Sequence, residues 1–101
     1  MPVMTGAQAL IRSLAREGVE VVFGLPGVQI MDAFDALYQE PGIRLVVVRH
    51  EQATTYMADG YARTTGKVGV GLVVPGPGAL NAAAGLGTAY ATSSPVLLVS
   101  G

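Results

Sequence analysis

The stretch LVVVRHEQATTYMADGYAR, residues 45–63, carries the reading of the whole chain. Leu45 to Val48 are all apolar, a short run of buried-strand type, and Glu51 follows after only Arg49 and His50. From Glu51 the pattern turns helical. Ala53, Tyr56, Met57, Gly60 and Tyr61 recur on one predicted face, and Gly66 is placed to end the helix. In open parallel sheets, ligands bind in the crevice at the C-terminal ends of the strands. This stretch is therefore expected to deliver Glu51 into such a crevice, where a carboxylate beside apolar walls can hold or exchange a proton with a bound ring. The plainer alternative is a first-turn carboxylate favoured by the helix dipole, an effect of roughly 0.3–1 kcal/mol.

The same alternation extends in both directions. Thr5 and Gln8 have capping-box spacing; Ala7, Leu10, Ile11, Leu14 and Ala15 follow at helical intervals, with Gly18 as the stop. Val19 to Phe23 is a predicted strand, Gly24-Leu25-Pro26-Gly27 a turn, and Ile30, Ala33, Phe34, Leu37 and Tyr38 an amphipathic stripe halted by Pro41-Gly42. Ile43 to Val48 and Val68 to Val74 are the second and third strands. Gly69 and Gly71 share one strand face and leave room there for a closely packed helix. A small-residue helix over roughly 79–91 and a strand at Val96 to Val99 complete the pattern. The expected fold class is α/β, a parallel sheet with helices on both faces.

Composition narrows the function. The chain has 101 residues, half of them hydrophobic, with 13% charged, which is core-rich and of single-domain size. A net charge of −1 leaves no footprint for nucleic acid or an acidic membrane surface. No cysteine is present, which excludes disulfides and thiolate metal sites, and His50 is the sole histidine. The N-terminus has no basic region followed by an apolar run, so a cytoplasmic location is expected. Charge is distributed unevenly, with none from Val68 to Gly101. Breakers at Pro75 to Gly78, Asn81, Gly85, Gly87 and Ser93-Ser94-Pro95 argue against a membrane span. This uncharged third is expected to be buried against another domain or subunit.

Several segments invite functional comparison. Pro75-Gly76-Pro77-Gly78-Ala79-Leu80-Asn81 partly matches the dinucleotide G-x-G-x-x-G, with Asn81 where the third small residue belongs. Gly60 to Lys67 fails as a P-loop, because five residues separate the glycines and Val68 replaces Ser or Thr. Gly24 to Gly27 reads equally as an ordinary strand-to-helix turn or as a second crevice wall. His50 is expected to orient the crevice, Tyr56, Tyr61 and Tyr90 to pack in the core, and Asp59 and Arg63 to pair across one helical turn.

FGLPG after the first strand, RHEQATTYMADGYARTTG after the second and VVPGPGALNAAAGLGTAYATSSPVLLVSG to the end stand in a specific order. Together they resemble the N-terminal pyrimidine-binding domain of thiamine-diphosphate-dependent enzymes, the branch of acetolactate synthases, oxo-acid decarboxylases and pyruvate oxidases. The resemblance implies that Glu51 meets N1′ of the cofactor's aminopyrimidine and favours the imino tautomer that removes the thiazolium C2 proton. Burial would ease proton sharing by such a Glu. It also implies cofactor contacts from the turns, at Gly24, Pro26 and Gly27 and at Pro75, Gly76, Gly78 and Asn81.

By the same resemblance the reaction makes or breaks a C–C bond beside the carbonyl of a 2-oxo acid, as a transferase or lyase. Such enzymes hold the diphosphate through Mg2+ in a separate domain with a G-D-G…N motif, and no G-D-G occurs here. Residues 1–101 are thus expected to form a partial pyrimidine domain of a longer enzyme, inactive alone. The complete enzyme would be a homodimer or homotetramer with the cofactor site shared between subunits, and FAD is compatible with it. The differing expectation is a non-catalytic chain that works only by binding a partner carrying the diphosphate domain.

Overall fold

A computed structural model describes residues 3–101. The elements are α1 (Gly6–Arg16), β1 (Val21–Gly24), a 3-10 turn (Val28–Ile30), α2 (Met31–Tyr38), β2 (Arg44–Val47), α3 (Glu51–Thr65), β3 (Gly69–Val73), α4 (Pro77–Ala91) and β4 (Val96–Ser100). All four strands are parallel, in the order β2-β1-β3-β4. The α/β class expected from the alternation is the one observed. Local chemistry sets the helix ends. Thr5 and Gln8 form the full reciprocal capping box, and Gly66 ends α3 in the left-handed conformation at φ 74°.

Strand order decides where a crevice opens. The chain leaves β1 toward β2 on one side, and leaves β3 toward β4 on the other. The loops after β1 and β3 therefore diverge between neighbouring strands, which is the switch point of an open α/β sheet. Right-handed crossovers place α2 on one face and α3 with α4 on the opposite face. The contacts agree, with α1 packed on α2 and α3 packed on α4. On the α1–α2 face, Ile11, Val22, Ile30, Phe34, Leu37, Ile43, Val70 and Leu72 form the main core.

The other face is built differently. A Cβ added at Gly69 would lie 2.1 Å from the Ala58 carbonyl oxygen, and one at Gly71 would lie 3.3 Å from Thr54 Oγ1. The paired glycines let α3 rest its backbone almost directly on β3, as their shared face predicts. Only small side chains fit beneath a helix so close. The buried face of α3 is consequently Thr54, Thr55, Ala58, Asp59 and Ala62, and not the stripe expected from periodicity. Tyr56 and Met57 point outward, 46% and 41% exposed. Apolarity mistook the outer face for the inner one because β3, directly beneath the helix, carries only Gly69 and Gly71 at the contact.

Other expectations shift for related reasons. β2 is an edge strand with Val47 exposed, so the Leu45 to Val48 run does not form a fully buried strand. Tyr38 is exposed and Tyr90 is 89% exposed, whereas Tyr61 packs on the sheet, edge-on to Phe23 with centroids 6.0 Å apart. Asp59 and Arg63 do pair, through two contacts of 3.2 and 3.0 Å. Arg63 also donates to Thr92 Oγ1 at 3.0 Å, which ties α3 to the turn before β4. The Ser94 hydroxyl and then the Arg63 guanidinium hold the Asp59 carboxyl below the usual carboxylate range.

Candidate active site

Glu51 stands in the first turn of α3, just past the C-terminal edge of the sheet. The preceding residue caps the helix: His50 Nδ1 accepts from the Gln52 backbone N–H at 3.1 Å. This gives His50 a local role that its residue type does not advertise, since N-caps are usually Ser, Thr, Asp or Asn. Nδ1 serves as an acceptor only when it carries no proton itself. Thr54 Oγ1 donates back to the Glu51 carbonyl at 2.6 Å, fixing the first turn from within.

The Glu51 side chain reaches toward α4, where Asn81 Nδ2 donates to Glu51 Oε1 at 3.1 Å. A Cβ added at Gly78 would lie 3.3 Å from Glu51 Oε2. Two of the residues singled out in the sequence thus flank the carboxylate. The Asn81 amide, and then the backbone N–H of Glu51 itself, hold its carboxyl below the usual glutamate range, against a smaller opposing push from burial. The burial expected to ease proton sharing is the weaker influence here, because Glu51 is only half-buried.

The turn after β3 supplies the floor. Gly76 adopts φ 69° as the N-cap of α4, a left-handed geometry suited to glycine, and Pro77 takes the first helical position. Val74 joins this turn to the one after β1. A Cβ at Gly27 would lie 2.2 Å from Val74 Cγ1, and one at Gly78 would lie 2.6 Å from Val74 Cγ2. Both glycines are needed so that two loops can close on the same valine. Val74 went unremarked in the sequence; its only signal is its place as the last apolar residue before Pro75.

The remaining residues of the first turn go elsewhere. Gly24 faces the α1–α2 side, where an added Cβ would lie 3.0 Å from Phe34 Cε1, so its small size serves core packing. Pro26 borders an apolar groove with Phe34, Leu37, Ile43 and Leu45. Pro75 approaches the end of β4, its Cδ 3.4 Å from a Cβ added at Gly101. The structure therefore brings Asn81 and Gly78 to Glu51 and closes Gly78 and Gly27 on Val74, and it places Gly24 and Pro26 toward the opposite face of the sheet.

Residues 4–101 match the family model described as thiamine pyrophosphate enzyme, N-terminal TPP binding domain. The chain is 52% identical over 101 residues to the acetolactate synthase large subunit of Buchnera aphidicola subsp. Schizaphis graminum, covering all of this chain and 18% of that protein. Its identity to the acetolactate synthase isozyme 3 large subunit of Escherichia coli K12 is also 52% over 101 residues, with the same coverage. Similarity extends to the probable 2-ketoarginine decarboxylase AruI of Pseudomonas aeruginosa, 50% over 97 residues, 96% of this chain and 17% of that protein. The chain spans less than a fifth of the length of these curated relatives.

Proposed function

The chain belongs to the thiamine pyrophosphate enzyme family through its N-terminal TPP binding domain, and from that premise we propose that it forms the pyrimidine-holding wall of a thiamine diphosphate site with Glu51 as its proton-handling group. The observation that carries this reading is the Glu51–Asn81 pair, 3.1 Å apart at the switch point of the sheet. The residues present fit a flat aromatic ring. Gly78 leaves one side of the carboxylate free of side chain, and Val74 gives the floor an apolar surface. Thiamine diphosphate, when bound, supplies the carbanion chemistry.

The chain's own residues govern a proton. Asn81 and the helix start hold Glu51 as an anion in the open crevice. Filling the crevice removes water from Glu51, and burial then moves its carboxyl back toward the range where it shares a proton with a ring nitrogen. Gly78 lets that approach happen without crowding Oε2, and the two prolines of the Pro75 to Gly78 turn stiffen it. Among the described residues no group of three or more His, Cys, Asp or Glu comes together.

The relatives' names, acetolactate synthase and 2-ketoarginine decarboxylase, share chemistry at a carbonyl carbon. We assign this protein to the same reaction class, making or breaking a C–C bond beside the carbonyl of a 2-oxo acid. The partner-binding side of the reading is favoured by one feature, the outward apolar residues Tyr56, Met57 and Leu80 on α3 and α4. Glu51→Gln in the complete protein is expected to slow C2 proton exchange of bound cofactor by about 10²–10⁴-fold, the usual range for a positioned acid–base group. An exchange rate equal to the wild type's would remove Glu51 from its assigned role.

A further inference from the structure

One helical turn beyond the Glu51–Asn81 pair, α3 and α4 meet again. Thr55 is fully buried, and its Oγ1 donates to the Ala82 carbonyl at 2.6 Å. The alternative acceptor within its own helix, the Gln52 carbonyl, lies farther away at 3.3 Å. Gly85 stands opposite: an added Cβ would lie 2.1 Å from Thr55 Oγ1 and 2.6 Å from Thr55 Cβ. Residues three and four apart share a helix face. Glu51 and Thr55 thus lie on one row of α3, facing a row of α4 that runs through Gly78, Asn81, Ala82 and Gly85.

The two meetings are mechanically linked, because Asn81 and Ala82 are adjacent. Holding the Ala82 carbonyl on Thr55 fixes how far along α3 the Asn81 side chain begins. A slide of α4 along α3 would lengthen and tilt the Asn81–Glu51 bond, which now spans 3.1 Å, and hydrogen bonds weaken with both distance and misalignment. The close approaches of Gly78 to Val74 and of Gly85 to Thr55 limit how near α4 comes, but they supply no directional bond. Ala58, Ala62, Ala82 and Ala89 pack by dispersion, which has no direction. The Arg63–Thr92 bond is exposed and sits at the far end. Among the described residues, Thr55 to Ala82 is the one buried side-chain hydrogen bond between the two helices.

We propose that Thr55 is a positioning residue, whose hydroxyl sets the register of α4 on α3 and thereby keeps Asn81 on the Glu51 carboxylate. Thr55 touches neither the carboxylate nor Asn81's amide. Its importance for catalysis rests on the cofactor role proposed for Glu51; the geometric claim stands apart from that role and is tested without cofactor.

A carbon-13 NMR titration of the Glu51 carboxyl in the ligand-free chain compares wild type, Asn81→Ala, Thr55→Val and Thr55→Ser. Valine keeps the shape of threonine and removes the hydroxyl, whereas serine keeps the hydroxyl. His50 is the titratable neighbour acting on Glu51. Gly78 and Asn81 from α4 and Val74 from the floor are uncharged, so a shift reports the Asn81 contact.

Asn81→Ala is expected to raise the Glu51 midpoint, Thr55→Val to raise it at least half as far, and Thr55→Ser to titrate with the wild type. A Thr55→Val titration equal to wild type overturns the proposal. So does a serine variant that matches valine, or an Asn81→Ala variant that does not move. If Thr55→Val loses the wild-type circular dichroism spectrum, Thr55→Ala against Thr55→Ser makes the same comparison with smaller side chains. Failure of Glu51→Gln to slow C2 exchange would remove the cofactor role and leave this titration result standing.

Discussion

Asn81 donates across the gap between α3 and α4 to Glu51 Oε1, and that bond is the largest cause holding the Glu51 carboxyl below the usual glutamate range. A carboxyl whose folded pKa is lowered contributes stability that is complete above its unfolded pKa. That contribution is lost as pH falls through the lowered folded value. Asn81→Ala is therefore expected to reduce stability relative to wild type at neutral pH. The gap should narrow as acid protonates Glu51 in both proteins; urea midpoints across the carboxylate range check this, and a constant gap would contradict it. Glu51 itself could be singled out in the sequence, since it follows an apolar strand run after only Arg49 and His50 and opens a helix. Its partner's hydrogen bond could not, because Glu51 and Asn81 are 30 residues apart and only the packing of two helices brings them together.

At the scale of elements, glycines set the distances. Gly69 lets α3 lie on β3, with an added Cβ only 2.1 Å from backbone at Ala58. Backbone cannot rotate aside as a flexible side chain can. Gly69→Ala is expected to destabilise the chain by about 1–3 kcal/mol through overpacking, read as a lower urea midpoint with an unchanged slope. An unchanged midpoint would mean that α3 does not sit where it is described. The element types, and the shared face of Gly69 and Gly71, were readable from residue order. The inward face of α3 was not. Periodicity assumes that the large apolar side chains face the core, but here the partner surface is glycine, so threonine and alanine are buried and Tyr56 and Met57 are turned out.

For the molecule as a whole, the distribution of charge and apolar surface predicts association. No charged residue follows Lys67, and within that segment Leu80 is 76% exposed and Tyr90 and Leu97 are also exposed. With Tyr56 and Met57 these residues leave apolar side chains in water on several surfaces. The 101-residue chain is expected to sediment as a concentration-dependent mixture that shifts toward monomer on dilution; a single monomeric boundary at all concentrations would count against a partner-covered surface. Among the described residues no helix is long and apolar enough to cross a membrane. The α/β alternation, the parallel sheet, the three turns and the family to which they belong were determined by the sequence alone, because strand runs, helix caps and Gly-Pro turns are local patterns. The tertiary structure alone decided which side of α3 is buried, that Gly27 and Gly78 close on Val74, and that Asn81 and Thr55 stand beside the residues they hold. Each of these depends on how closely distant segments approach, and that distance is set by packing rather than by the order of residues along the chain.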